Sequence, residues 1–192
     1  MADKKCCFIG HRKITVTDEL IATLKNTIVR LITEENVKYF LFGSRSEFDD
    51  LCHHVVTELQ DDYTHIVRVA YTRRSEYAVK AEEKEKMERT WASVLKMDVK
   101  LKDYDAEVQS NRVYSAGKAS YVERNQEMID DSDFCVFYYN ENYMPPKRKR
   151  ANRDISTYQP KSGTRLAYEY AVQKSKKGDK TVINMFVSPS TD

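Results

Sequence analysis

Short continuous apolar runs alternate along the chain with stretches in which apolar residues recur at helical spacing. The runs are expected to form buried strands, and they span residues 5–10, 37–43, 65–71, 134–139 and 181–187. The first helix is expected to follow a cap signal at Thr17, with Leu20, Leu24 and Ile28 on its apolar face. The other helical stretches span residues 46–60, 74–102, 120–133 and 164–177.

Apolar strands separated by helices are typical of a parallel sheet that is covered on both faces. The pattern therefore predicts an α/β fold, a Rossmann-like three-layer sandwich with a mainly parallel sheet of about five strands. At 192 residues the chain is expected to form one domain over 1–192. Two segments depart from the pattern: a densely charged helical insertion at about 74–102 and a basic surface loop at about 140–161.

The numbers of basic and acidic residues are nearly equal, and this bears on whether the protein binds nucleic acid. There are 32 Lys and Arg residues against 30 Asp and Glu residues, so a general attraction to nucleic acid is not expected. The basic run KRKRANR at 147–153 is interpreted as a solvated loop, and a lid over a polyphosphate ligand is the alternative. No apolar run reaches the ~20 residues of a membrane helix, and the start of the chain lacks the apolar part of a signal peptide.

These features favour a cytoplasmic protein without a membrane partner. The four cysteines have no metal-ligand spacing, so they are expected to be reduced and mostly buried. Neither a structural metal nor a cofactor is expected.

Candidate chemistry lies where the predicted strands lead into helices, because ligands collect at the carboxyl ends of parallel strands. Small residues there stand beside cations and hydroxyls, a combination that favours anion binding at helix N-termini. The candidates are Gly10, His11 and Arg12 after the first strand, Gly43, Ser44 and Arg45 after the second, and Ser162, Gly163, Thr164 and Arg165 before the last helix.

Each candidate also has a simpler interpretation. His11 contacts a phosphate or base, or it packs within its loop; Arg12 binds an anion, or it forms a surface salt bridge. Ser44 can act as an N-cap alone. Phe48 and Asp49 are candidates for base stacking and for a ribose contact, although Asp49 also suits the first turn of a helix.

Tyrosines follow the fourth predicted strand. Tyr138, Tyr139 and Tyr143 are candidates to stack on a base, but Tyr138 or Tyr139 must face the core if that strand is central.

Four segments occur in an order that resembles a known family: FIGHRKI, FGSRSEFDDL, YVERNQEMIDDSDFCVFYYN and KSGTRLAYEYA. Together they are similar to the SLOG superfamily, the SMF/DprA–LOG Rossmannoid nucleotide-binding proteins. The nearest resemblance is to its small, stand-alone, YpsA-like members from bacteria and phages. It covers nearly the whole chain except the charged insertion and the basic loop, and it implies a nucleotide-type ligand.

The LOG enzymes of this superfamily cleave nucleoside 5′-monophosphates to free base and ribose 5-phosphate. The resemblance places Arg124, next to Asn125, at their phosphate-contacting position, and matches Gly163 and Thr164 to their Gly-rich loop. The double glycine of that loop is missing here. Moreover, the first acid after it, Glu169, comes one helical turn later than the LOG glutamate.

The expected function is therefore a cytosolic protein that senses or sequesters a nucleotide or a derivative such as ADP-ribose or an NAD product. One alternative is a LOG-type phosphoribohydrolase, with Glu123, Glu169 or Asp49 as the candidate acid. A second alternative is a single-strand nucleic-acid binder like DprA. A homo-oligomer is expected because Val55 and Val56 are taken to lie on an exposed helix face.

Overall fold

The computed structural model describes residues 2–43, 46–72, 103–110, 118–144 and 161–187. The predicted insertion at 74–102 and residues 145–160 of the predicted basic loop lie outside these ranges. In chain order the elements are β1 (Lys4–Gly10), α1 (Asp18–Thr33), β2 (Val37–Phe42), α2 (Glu47–Leu59), β3 (Val67–Thr72), β4 (Ala106–Gln109), α3 (Lys118–Asp130), β5 (Phe134–Tyr138), α4 (Gly163–Ser175) and β6 (Thr181–Asn184).

The described strands form one six-stranded sheet in the order β4-β3-β2-β1-β5-β6. Every neighbouring pair is parallel. This confirms the predicted Rossmann-like α/β sandwich, with one strand more than the sequence pattern indicated. The additional strand is β4.

The two faces of the sheet carry separate apolar layers, as the alternation of side chains along a strand requires. On β1, Cys6 and Phe8 pack in the layer that contains the buried residues of α1 and α2. Cys7 and Ile9 point the other way and pack with apolar residues of α3 and α4. Both faces of β1 are thus covered, which is why its sequence is a continuous apolar run.

Three helices begin at side-chain caps. Thr17 caps α1, as the sequence predicted, and Ser162 caps α4; each accepts from the N–H group three residues later at 3.1 Å. At α2 the cap is Ser46, whose hydroxyl accepts from the N–H of Asp49 at 3.1 Å. The residue that caps this helix is therefore not Ser44, the simpler interpretation of which was an N-cap.

The sequence pattern did not predict β4, because all four of its residues are exposed and only Val108 is a large apolar residue. It lies at the edge of the sheet and is held there by polar contacts. Arg68 on β3 donates from Nε and Nη2 to the two carboxylate oxygens of Asp105, at 3.1 and 2.8 Å. The backbone N–H of Arg68 also donates to Asp105 Oδ2 at 2.7 Å, so β4 is fixed in register at its first residue.

The basis for the expected homo-oligomer was wrong. Val55 is 1% exposed and Val56 is fully buried, because both belong to the core layer under α2. An oligomer remains a prediction without that support. Within the described ranges, no helix has the length and apolar character needed to cross a membrane.

Candidate functional site

Among the described strands, the order of the strands in the sheet reverses between β1 and β5. β1 is followed through α1 by β2 on one side, whereas β5, the other neighbour of β1, is followed through α4 by β6 on the opposite side. Helices leave the two strands on opposite faces, and this opens a crevice at the carboxyl ends of β1 and β5. The predicted residues Gly10, His11 and 162–165 all lie around this crevice.

The N-terminus of α4 is tied to the end of β1. Thr164 is buried, and its hydroxyl donates to the carbonyl oxygen of Gly10 at 2.9 Å. Ser162 accepts from the N–H of Arg165 at 3.1 Å. The first helical amides, those of Gly163 and Thr164, have no acceptor in the described part of the chain.

Gly163 leaves the space before these amides open. It is exposed, and a Cβ added there would meet nothing within 4 Å. Its backbone does not have a positive φ, so the fold itself does not require glycine at this position. A Cβ on a helix tilts toward the N-terminus, and its absence leaves the amides accessible to a large anion.

His11 lies at the end of β1 and is 1% exposed. Tyr143 stacks on its ring at a centroid distance of 4.0 Å and an angle of 18°. The backbone N–H of Asn140 is 3.0 Å from His11 Nε2. Nε2 also lies 3.2 Å from the carbonyl oxygen of Asn140. The amide N–H is the nearer group and can only donate, so we assign Nε2 as its acceptor and place the proton on Nδ1.

In this tautomer the Nδ1–H of His11 is a buried donor that has no hydrogen-bond partner among the residues that the structure describes. Burial lowers the pKa of His11 from 6.5, so the ring is neutral at neutral pH. A buried donor without a partner is costly, and such groups commonly occur where a ligand or water supplies the acceptor.

The loop after β5 is shaped by hydrogen bonds of asparagine residues. The Asn140 side chain accepts from the N–H of Asn142 at 2.9 Å, and its carbonyl oxygen accepts from the N–H of Tyr143 at 3.1 Å. This turn brings Tyr143 onto His11. Asn184 on β6 holds Tyr139 by accepting from its N–H and donating to its carbonyl oxygen, both at 2.9 Å.

The tyrosines after β5 divide as the sequence analysis anticipated for a central strand. Tyr138 faces the core and is 9% exposed. Tyr139 instead stacks on Tyr168 of α4 at a centroid distance of 4.4 Å and an angle of 21°. The aromatic rings beside the crevice are therefore those of the loop after β5 and of α4.

Arg124 of α3 lies over the end of the neighbouring strand β2. It is 3% exposed, and its Nε lies 3.0 Å from the position that a Cβ on Gly43 would take. A Cβ on Gly43 would also lie 3.2 Å from Met128 Sδ and from the carbonyl oxygen of Tyr71, so a larger residue there would be tightly packed. Arg124 Nη2 donates to Asn125 Oδ1 at 3.1 Å, and its guanidinium lies over the ring of Tyr121.

Arg12 is exposed on the rim of the crevice. Its carbonyl oxygen accepts from the N–H of Glu47 at 3.1 Å, so its backbone is anchored to α2. Within the described ranges no carboxylate pairs with its guanidinium, which removes the salt-bridge interpretation there. Ser44 and Arg45 lie outside the described residues.

Gly10 and Phe48 have a packing role. A Cβ on Gly10 would lie 2.4 Å from Cβ of Phe48, so glycine is required there by the core. Phe48 is fully buried and lies near Tyr138, with its centroid 5.7 Å away, so its ring is not open to a base. Asp49 is also fully buried, in the first turn of α2.

The candidate acids lie in different settings. Glu169 is on the exposed surface of α4 and is paired with Lys161 at 2.8 Å and with Arg165 at 2.9 Å. Hydrogen bonds from Lys161 and then Arg165 lower the pKa of Glu169, so it is ionised at neutral pH and unsuited to act as a general acid. Glu123 is half-buried on α3.

Another carboxylate lies at the carboxyl edge and was missed. Glu127 of α3 accepts from the hydroxyl of Ser110, the buried residue that follows β4. The signal for it was the spacing of Arg124 and Glu127, which places them on neighbouring positions of one helix face. No group of three or more potential metal ligands occurs among the residues that the structure describes.

Comparison with known proteins gives a family for this arrangement. A search of curated proteins found no match. The sequence model of the family described as the YspA SLOG family matches residues 10–173, which include Gly10, His11, the loop after β5 and the N-terminus of α4. The chain belongs to the YspA SLOG family.

Proposed function

We propose that the protein binds a nucleotide or a phosphate-bearing nucleotide derivative at the crevice between β1 and β5, and acts by sensing or sequestering it. The proposal rests on two groups together: the open amides at Gly163, and the buried Nδ1–H of His11, which has no partner within the described ranges. Both are hydrogen-bond donors at one edge of the sheet. Membership of the SLOG family, a group of nucleotide-related Rossmannoid proteins, supports the same class of ligand.

The phosphate is assigned to the N-terminus of α4. There the amides of Gly163 and Thr164 and the positive end of the helix dipole favour an anion. The ring of His11 donates from Nδ1, and Arg12 and Arg124 add positive charge at the ends of β1 and β2. All of these groups are donors, as recognition of phosphate requires.

This donor set binds without turning the ligand over. The LOG-type hydrolase needs a carboxylate beside the scissile bond, and Glu169 is instead engaged by Lys161 and Arg165. A binding protein needs no such group. The nearly balanced charge of the chain also favours a small ligand over nucleic acid.

A thermal-shift screen tests the proposal. The purified protein is heated with AMP, ADP-ribose, NAD, cyclic ADP-ribose and cyclic dinucleotides, and each stabilising ligand is then recovered and analysed by chromatography. The proposal predicts a rise in melting temperature with at least one phosphorylated nucleotide, recovered intact. Recovery as free base and ribose phosphate would replace it with the hydrolase. No stabilisation by any of them would overturn it.

A further inference from the structure

Lys161 and Arg165 lie on either side of the first residues of α4, and both are paired with one carboxylate. Lys161 Nζ is 2.8 Å from Glu169 Oε2, and Arg165 Nε is 2.9 Å from Glu169 Oε1. The negative charge of Glu141, in the loop after β5, acts on Arg165 as well. Glu169 is therefore the anion shared by the two cations that flank the open amides.

The three side chains are accessible and weakly held. Lys161, Arg165 and Glu169 are 46%, 47% and 42% exposed as side chains. Exposed ion pairs contribute little to folding, because solvent screens the attraction and long side chains lose freedom when they pair. An incoming anion can replace the carboxylate without disturbing the core.

We propose that Glu169 is an internal counter-anion that competes with a ligand phosphate for Lys161 and Arg165. In the ligand-free protein it neutralises these cations on the surface of α4. When a phosphate reaches the amides of Gly163, the cations turn to it and release Glu169. The inference rests on the proposed function and assigns to Glu169 a regulatory role, whereas the alternative hydrolase would use it as a candidate acid.

The competition has a direct consequence for affinity. Glu169→Gln keeps the size of the side chain and removes its charge, which leaves Lys161 and Arg165 without their anion. The variant is expected to bind AMP and inorganic pyrophosphate about two- to fivefold more tightly than the wild type. Its affinity is also expected to fall more steeply with added salt, because in the wild type salt weakens the competing ion pairs with Glu169 as well and so offsets part of the loss.

Isothermal titration calorimetry of the full chain at two salt concentrations tests this, with AMP and pyrophosphate as probes. Glu34→Gln is the matched control, because it removes an equal charge at the C-cap of α1, on the edge of the sheet away from the crevice. The affinity of this variant should equal that of the wild type. In the Glu169→Gln background, Arg165→Gln should abolish the gain. Melting curves check that each variant is folded.

The outcomes separate this inference from the proposed function. If the wild type binds a probe and Glu169→Gln binds it equally or more weakly, the counter-anion role is overturned and the ligand site stands. If Glu34→Gln gains as much as Glu169→Gln, the effect is one of net charge and the inference is again overturned. If no phosphorylated compound binds the wild type, both fail together.

Discussion

Two glycines at the same edge of the sheet have opposite reasons to be glycine. A Cβ on Gly10 would overlap Phe48 at 2.4 Å, whereas one on Gly163 would meet nothing within 4 Å. Substitution of Gly10 therefore strains the core, and substitution of Gly163 only fills the space in front of the α4 amides.

Gly163→Val is expected to fold as the wild type does and to bind its nucleotide about 10- to 100-fold more weakly, because the valine side chain blocks the hydrogen bonds to phosphate. Gly10→Ala is expected to lower the free energy of unfolding by about 1–3 kcal/mol. Urea denaturation and calorimetric titration measure the two effects. Equal affinity in a folded Gly163→Val variant would place the ligand elsewhere.

His11 provides a second test at the scale of the residue. In the variant His11→Gln the side-chain amide can still accept from the N–H of Asn140, as Nε2 does now at 3.0 Å, but the donor at Nδ1 is lost. We expect a folded protein with about tenfold weaker nucleotide binding. Unchanged affinity would show that Nδ1 does not meet the ligand.

The same residue makes stability depend on pH. Burial lowers the pKa of His11 in the folded state below 6.5, so on acidification the unfolded chain takes up a proton that the folded ring does not. The free energy of unfolding should be fully present above pH 6.5 and fall as the pH drops below it. Urea titrations on both sides of that pH should show a smaller fall for His11→Gln than for the wild type.

Among the elements, β4 depends on its polar contacts. The side-chain hydrogen bonds from Arg68, together with those from its backbone and from Gln60, lower the pKa of Asp105 from 3.8 to about 2. The pair is therefore fully formed above pH 3.8, and its contribution is lost as the pH falls toward 2.

Asp105→Asn is expected to destabilise the protein by about 1 kcal/mol at neutral pH, once the shift is discounted for partial exposure. Hydrogen exchange of the β4 amides should rise more than that of the β1 amides. Asp61→Asn, at an exposed residue just after α2, serves as the control and should change neither. Equal exchange in β4 before and after Asp105→Asn would show that other contacts hold this strand.

The elements also explain what the sequence could predict. β1, β2 and β5 lie in the middle of the sheet with both faces covered, so their apolar runs stood out and the parallel fold followed. β4 is an exposed edge strand whose position depends on a contact between Arg68 and Asp105. These residues are 37 positions apart, so the local sequence pattern does not indicate their contact. Val55 and Val56 were misplaced because a helix face is apolar whether it meets the core or a partner.

For the whole molecule, the order of the strands is what assembles the site. Placing β1 beside β5 brings Gly10, His11 and the N-terminus of α4 to one crevice, although 154 residues separate Thr164 from Gly10. The loops that contribute to it were predictable from strand ends. The roles of two residues within them were not predictable, because Phe48 packs in the core and His11 is held by the backbone of Asn140, 129 residues away along the chain.

The position of the phosphate can be tested by an NMR titration that follows the backbone amides while AMP and, separately, ADP-ribose are added. We expect the largest chemical-shift changes at Gly163 and Thr164, smaller ones at His11 and Asn140, and none in β4. Shifts confined to other parts of the sheet, or none with either compound at saturating concentration, would contradict the placement of a phosphate at the N-terminus of α4.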